Sequence, residues 1–129
     1  MRWRIGLAAF PAGFGAFAAL AQMPPLVAAP ANDGASLFKS QCGICHTLDP
    51  AEPIRQGPPL KGVIGRHAGT FPGFPYSAGF AHADFAWDRA RLDAWLTDPP
   101  SVIPGAVMLY HQRDPAKRQA IIGFLETQP

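Results

Sequence analysis

The five residues Cys42-Gly43-Ile44-Cys45-His46 decide how this chain folds. Two thiols three positions apart, with a histidine directly after the second, form the C-x-x-C-H pattern that is typical of covalent haem attachment. On one helical turn, the two sulfurs can reach the two vinyl groups along one side of a porphyrin. The next residue then lies below the ring, where an imidazole nitrogen can bind iron. The pattern therefore predicts one covalent haem c, with His46 as an iron ligand.

The cysteine count limits the alternatives, because Cys42 and Cys45 are the only two cysteines of the chain. Two thiols cannot complete a four-cysteine zinc site, although they can form half of a metal knuckle. They can also form a thioredoxin-like redox pair. The pair has no thioredoxin-like alternation of strand and helix patterns around it, so a thiol–disulfide oxidoreductase is an alternative and not our main hypothesis.

Composition and charge narrow the class of protein further. The 129 residues include 15 Pro and 13 Gly, which favours short helices joined by structured loops in a single domain. The formal net charge of +2 comes from Arg2 and Arg4, because the other nine of the 11 basic residues balance the nine acidic ones. A neutral domain without a basic patch is a poor nucleic-acid binder, so we expect no nucleic-acid partner.

The first 31 residues have the features of an export signal. Arg2 and Arg4 precede an uncharged stretch that contains an apolar segment at 5–20 and an Ala-x-Ala cleavage pattern at 19–21. We predict a signal peptide over 1–21, or an uncleaved membrane anchor, followed by a Pro-rich spacer over 22–31. The haem domain would then comprise 32–129 and lie in the periplasm.

Capping residues and apolar spacing predict three main helices. Asn32 or Asp33 can cap a first helix, which ends near residue 41 and delivers the cysteines. Asp88 can cap a second helix that stops at the following Pro-Pro pair, and Asp114 a third that ends near residue 127. The side chains predicted to be buried are Leu37, Phe38, Leu92, Trp95, Leu96, Ile121, Ile122, Phe124 and Leu125.

Met108 lies in the loop before the last helix and is our candidate for the second iron ligand. Met1 and Met23 precede the predicted domain. A thioether opposite an imidazole gives a six-coordinate iron at a raised potential. The alternatives to Met108 are His67, His82 and His111, with His111 the next candidate.

The Pro- and Gly-rich stretch 47–75 predicts a loop along one edge of the haem. Pro58 leaves the carbonyl of Gly57 as an acceptor for the His46 ring N–H, and such a bond would set the tautomer of His46 and strengthen it as a ligand. The alternative is that Gly57 and Pro58 only form a tight turn, with Leu60 pointing inward. Arg66 can pair with a haem propionate or remain solvated. Neutral donors that can join Arg66 are Tyr76, Ser77 and Trp87.

Together these residues resemble the class I c-type cytochromes of the mitochondrial and purple-bacterial branch. The resemblance implies an all-α fold, with three main short helices, one or two minor helices and loops around one covalent haem. It implies His46 and Met108 as axial ligands, and a helix crossing at Gly34 and Phe124. It places Pro58, Leu60, Trp95 and Leu96 in the haem pocket, and Arg66, Tyr76, Ser77 and Trp87 around the propionates. The matching positions are Gly34, Phe38, Cys42, Cys45, His46, Gly57, Pro58, Leu60, Gly65, Arg66, Gly73, Phe74, Tyr76, Ser77, Trp87, Leu92, Leu96, Pro99, Pro104, Gly105, Met108, Phe124 and Leu125.

Five positions depart from that pattern. Ala106 replaces a threonine, Trp95 a tyrosine and Phe80 an asparagine, which predicts a drier pocket on the side of Met108. Pro100 and Val107 occupy places where relatives often carry lysines near the haem edge. A docking face without these cations should depend less on salt.

The resemblance also implies function. We expect an outer-sphere one-electron carrier and not an enzyme, acting as a monomer. Its redox partners would be a quinol–cytochrome c reductase or a dehydrogenase on one side, and a terminal oxidase or photosynthetic centre on the other. The alternatives are a haem subunit or domain of a larger periplasmic oxidoreductase, a haem sensor or peroxidase with an open iron site, and the thiol–disulfide oxidoreductase that uses Cys42 and Cys45.

Overall fold

The computed structural model describes residues 33–129, so the predicted signal peptide and spacer lie outside the described residues. The helices are α1 (Gly34–Leu37), which continues directly into a π-helical segment (Phe38–Cys42), a 3-10 helix (Ala78–His82), α2 (Arg89–Thr97), α3 (Pro99–Val102) and α4 (Pro115–Glu126). No strand occurs in this range, and one isolated antiparallel bridge joins His67 and Ala86. The expected all-α class is confirmed, with α3 and the 3-10 helix as the minor elements.

Side-chain caps begin the main helices at the predicted places. Of the two candidates for the first cap, Asp33 accepts a hydrogen bond from Ser36 N at 2.9 Å. Asp88 accepts from Arg91 N at 2.7 Å, and Asp114 from Ala116 N at 2.9 Å. Each bond satisfies one of the backbone donors that a helix start leaves without an intrahelical partner.

The Pro99-Pro100 pair ends α2 as predicted, but it also begins α3. Proline is tolerated in the first turn of a helix because the N–H that it lacks has no intrahelical acceptor there. Asp98, between the two helices, has an extended backbone, so α2 and α3 are separate helices.

The first and last helices cross at Gly34, where their backbones touch. A Cβ on Gly34 would lie 2.2 Å from the carbonyl oxygen of Ala120 and 2.8 Å from Phe124 Cβ. The rings of Phe38 and Phe124 pack beside this contact with centroids 5.4 Å apart. The prediction that Phe124 is buried is wrong, since it is only partly buried, whereas Ile121, a few residues earlier, is fully buried.

Backbone hydrogen bonds hold the long irregular loops against the helices. Gly57 N donates to Cys45 O at 2.8 Å and Leu60 N to Thr47 O at 2.9 Å, which fixes the loop beside the cysteines. Trp87 N donates to Arg66 O at 2.9 Å, which joins a later part of the loops to the residue before the α2 cap. These loops and the helices surround a central space. No helix within 33–129 combines the length and the apolar character needed to cross a bilayer.

Candidate haem-binding site

A cavity of about 630 Å³ lies between the helices and the loops. Its volume falls in the range of small-molecule and cofactor sites, and its wall is mostly apolar, as is usual for such sites. The structure brings all the predicted site residues to this one cavity: Cys42, Cys45, His46, Pro58, Leu60, Arg66, Tyr76, Ser77, Trp87, Trp95, Leu96 and Met108 line it.

The His46 ring is held by the loop that passes beside it. Its Nδ1 lies 2.8 Å from the carbonyl oxygen of Pro58, so Nδ1–H donates this bond and Nε2 carries the free lone pair. Burial lowers the pKa of His46, and the bond to Pro58 raises it by less, so the ring is neutral at pH 7. A neutral imidazole whose second nitrogen donates to a carbonyl is the form that binds a metal.

The acceptor differs from the expected one, since it belongs to Pro58 and not to Gly57. Gly57 instead lies against the face of the ring, where a Cβ would be 2.1 Å from His46 Cε1. Its own N–H is already bonded to Cys45 O at 2.8 Å. The glycine therefore provides space for the imidazole, and the next residue provides the acceptor.

The two cysteines are free thiols at the cavity wall and do not form a disulfide. Cys42 is buried, and burial, with a smaller effect of Cys45, raises the pKa of Cys42 to about 11. Cys45 Sγ lies 3.2 Å from Gln56 Oε1. Reactive thiols of redox enzymes have lowered pKa values, so the environment of Cys42 argues against a thiol–disulfide oxidoreductase.

Besides His46, Met108 lines the cavity with a neutral donor atom that is suited to haem iron. The other histidines do not line the cavity. His111 Nδ1 lies 3.2 Å from Thr97 O, and His67 Nε2 lies 3.3 Å from Asp84 Oδ1. His82 is exposed on the 3-10 helix. The geometry therefore gives no support to the three alternatives for the second ligand.

The cavity wall also carries polar groups that suit a carboxylate. Arg66 Nη1 donates to Pro59 O at 2.9 Å, and its Nη2 donates to the carbonyl of Lys61, so the guanidinium is held in place. The Tyr76 hydroxyl oxygen accepts from Phe71 N at 3.2 Å. The Ser77 hydroxyl is buried without a hydrogen-bond partner. A buried hydroxyl that lacks a partner is costly, and a haem propionate beside Ser77 would supply its acceptor.

Aromatic side chains form a continuous row along one wall. Centroid distances are 4.8 Å between Tyr76 and Phe80, 5.8 Å between Phe80 and Trp95, and 5.3 Å between Trp95 and Trp87. Phe80 and Trp95 therefore line the cavity with aromatic rings. Ala106 does not line the cavity, so its effect on the pocket is indirect.

Sequence reasoning missed four further polar residues at the cavity: Gln41, Arg55, Gln56 and Tyr110. Gln41 directly precedes Cys42, and Tyr110 lies two positions after Met108, so proximity to predicted site residues was the available signal. Within residues 33–129, no group of three or more histidine, cysteine or acidic side chains is arranged to hold a metal ion by itself.

Comparisons with known proteins agree with this geometry. The chain is 40% identical over 96 residues to cytochrome c2 of Rhodomicrobium vannielii, which covers 74% of this chain and 76% of that protein. It is 33% identical to cytochrome c2 of Blastochloris viridis over 114 residues, which covers 88% of this chain and 89% of that protein. The chain belongs to the cytochrome c family. No protein-family model matches it.

A solved cytochrome structure shows the same fold. Cytochrome cH from Methylobacterium extorquens superposes with a TM-score of 0.67 at 36% identity, covering 77% of this chain and 99% of that one. Membership in the cytochrome c family means that this chain is a monohaem electron carrier with one covalently bound haem c, and not an enzyme. Its partners are accordingly redox proteins.

Proposed function

We propose that this chain is a periplasmic one-electron carrier whose haem iron is ligated by His46 and Met108. One observation carries the proposal: the two side chains line the same cavity as Cys42 and Cys45, and the free nitrogen of His46 is the one not bonded to Pro58. Bound haem c supplies a metal centre that gains and loses one electron. His46 and Met108 would each offer the iron a neutral donor atom.

The remaining predicted residues have roles that follow from their positions. Cys42 and Cys45 form the two thioether links. The Arg66 guanidinium and the Ser77 hydroxyl, with Tyr76 and Trp87, surround the propionates, since Arg66 is a held cation at the cavity wall and the buried Ser77 hydroxyl lacks a protein partner. The apolar contacts with the ring come from Pro58, Leu60, Trp95 and Leu96.

The proposed location rests on the N-terminal sequence. Residues 1–21 are a signal peptide, or an uncleaved anchor on the periplasmic side, and 22–31 form a spacer before the haem domain 32–129. Attachment of haem to free cysteines after export is consistent with the two thiols that the structure shows. N-terminal sequencing of the protein from the periplasmic fraction tests this assignment.

The partners of such a carrier are a quinol–cytochrome c reductase or a dehydrogenase as donor, and a terminal oxidase or photosynthetic centre as acceptor. Val107 and Leu109 are 76% and 86% exposed, and both line the cavity, so they mark its rim. A rim of this kind fits transient docking of a monomer through apolar contact.

The same exposed rim supports a second candidate, a haem subunit of a larger periplasmic oxidoreductase, because apolar surface also marks permanent interfaces. Size-exclusion chromatography of the native protein from its source distinguishes the two. A free carrier elutes at the size of one chain, whereas a subunit elutes with its complex.

Redox titration of the purified holoprotein, together with its intact mass and its alkaline pyridine spectrum, tests the main proposal. We expect the mass of one chain plus one haem, a spectrum typical of two thioether links, and a reversible one-electron transition. A protein without bound haem, or with a disulfide that takes up two electrons, would refute it.

A further inference from the structure

The segment that carries Met108 has few backbone constraints. Ala106 N donates to Ile103 O at 3.0 Å before it, and Gln112 N donates to Leu96 O at 2.7 Å after it. Between these anchors, residues 107–111 form no backbone–backbone hydrogen bond with other described residues. Segments with few such bonds open locally at low free-energy cost. The position of Met108 therefore depends on side chains.

Tyr110 provides a side-chain link across the cavity. Its hydroxyl donates to Gln41 Oε1, on the residue that precedes Cys42. Gln112 Nε2 donates to the same oxygen at 2.9 Å, and Gln112 Oε1 accepts from Asp114 N at 3.0 Å. We call Gln41, Tyr110 and Gln112 the glutamine–tyrosine link. It joins the end of the first helical stretch to the Met108 loop and to the start of α4.

The link lies where it can act on the second ligand. Gln41 and Tyr110 both line the cavity, and both are half-buried, so water competes only partly for their hydrogen bond. Tyr110 is two residues from Met108, and Gln41 is next to a cysteine that holds the cofactor. A bond between them fixes the distance between the loop and the attachment point.

We propose that Tyr110 and Gln41 are positioning residues for Met108, and that their hydrogen bond keeps the methionine sulfur at the iron. This inference rests on the proposed ligation by Met108. Loss of the bond leaves the loop held by its two backbone anchors and by the contact of His111 Nδ1 with Thr97 O, which lies beyond Met108. The sulfur then leaves the ferric iron more often, and an external ligand replaces it more easily.

Titration of the ferric holoprotein with imidazole measures how easily the sulfur leaves, because imidazole binds only after the sulfur departs. Tyr110→Phe keeps the ring and removes the hydroxyl, and Gln41→Leu removes the acceptor. Because each variant loses a hydrogen bond of ordinary strength, imidazole should bind to either variant roughly threefold to tenfold more tightly than to the parent. The double variant should bind little more tightly than Gln41→Leu alone, because both changes remove the same bond.

A conservative variant and a control separate positioning from general destabilisation. Gln41→Glu retains an oxygen acceptor for Tyr110 and Gln112, so its imidazole affinity should stay within about twofold of the parent. Ser40→Ala removes a hydroxyl that donates to Ser36 O within its own helix, at 2.9 Å. This control should leave the imidazole affinity unchanged.

The outcomes distinguish this inference from the proposed function. The weak far-red charge-transfer band of the ferric protein reports the iron–sulfur bond. If the parent has no such band, the ligation by Met108 is wrong and the link has nothing to position. If the parent has the band, and Tyr110→Phe and Gln41→Leu bind imidazole with the parent's affinity, the inference is wrong and the proposed function stands.

Discussion

The imidazole of His46 lies directly on the backbone of Gly57, so closely that a Cβ there would be 2.1 Å from Cε1 and 2.5 Å from Nδ1 of the ring. No rotation of the added methyl group relieves this contact, since a Cβ has a fixed position on the backbone. Either the ring or the loop has to move, and movement of either breaks the bond from His46 to Pro58.

Gly57→Ala should therefore lower both the stability and the haem content of the domain. Overpacking of this kind costs about 1–3 kcal/mol in free energy of unfolding. Denaturant unfolding of the holoprotein and the ratio of haem to protein absorbance check this prediction. An alanine variant with the parent's haem content and stability would mean that the loop can move away freely.

Gly34→Ala and Gly123→Ala form a matched pair in the two crossing helices. At Gly34 a Cβ would be 2.2 Å from the backbone oxygen of Ala120, whereas at Gly123 it would meet nothing within 4 Å. We expect Gly34→Ala to destabilise the domain by about 2 kcal/mol or more. Gly123→Ala should stabilise it by up to about 1 kcal/mol, because alanine is the better helix former.

Thermal unfolding of the two variants beside the parent tests this pair. Equal shifts in the same direction would contradict the crossing at Gly34. The comparison is informative because both substitutions add the same methyl group to the same pair of helices.

Much of the helical framework could be predicted because its signals are local. Asp33, Asp88 and Asp114 are followed by helices that they cap, and each cap depends on two or three neighbouring residues. The π-helical end of the first stretch was not predicted. There Gly43 N donates to Phe38 O at 2.8 Å, five residues back, and no residue preference signals such a bond.

The site was predictable where one short motif determines it, and not where distant residues meet. His46 follows from the cysteine motif, but its acceptor is Pro58 and not Gly57, since loop dihedral angles decide between neighbouring carbonyls. The contact of Gln41 with Tyr110 joins positions 69 apart. Polar residues at such a separation show no periodic pattern that would place them together.

Acid should weaken the contact between α2 and α4. Arg118 Nε donates to Asp93 Oδ1 at 2.9 Å and holds the pKa of Asp93 below its ordinary 3.8, although partial burial acts in the opposite direction. Because the folded pKa is the lower one, this stabilisation is present above pH 3.8 and is lost as the pH falls through the folded value.

Asp93→Asn should lower the free energy of unfolding at pH 7 by no more than about 1 kcal/mol, because the carboxylate is partly exposed. Its stability should converge with the parent's in acid. Arg118→Gln should remove the same pH dependence. Urea unfolding of the three proteins between pH 2 and about pH 7 measures their free energies of unfolding. If the three free energies change with pH in parallel, the ion pair between Asp93 and Arg118 does not contribute as predicted.

Electron transfer should depend only weakly on ionic strength. The rim residues Val107 and Leu109 are exposed and uncharged, and exposed Pro100 adds no cation. The exposed cation that lines the cavity is Arg55, and Glu52 lies 3.8 Å from it, so this surface carries little net charge. Salt screens charges over about 10 Å at 0.1 M, and it therefore has little net charge to screen here. Oxidation of the ferrous protein by ferricyanide, an anion, should therefore proceed at a rate that changes little with added salt.

Val107→Lys should restore a dependence on salt, with a faster reaction at low ionic strength and a decline as salt is added. Ala90→Lys adds the same charge on an exposed position of α2 that does not line the cavity. The Ala90→Lys control should change the dependence of the oxidation rate on ionic strength much less than Val107→Lys does. A steep decline for the parent, or equal slopes for both lysine variants, would contradict docking through the apolar rim.

The central claim is that Met108 and His46 bind the same iron from the one cavity they share, and the ferric absorption spectrum tests it most directly. The parent holoprotein should show the weak far-red band of a methionine sulfur on ferric haem, and Met108→Ala should retain its covalent haem but lose that band. A parent without the band, or a Met108→Ala variant that keeps it, would contradict the account.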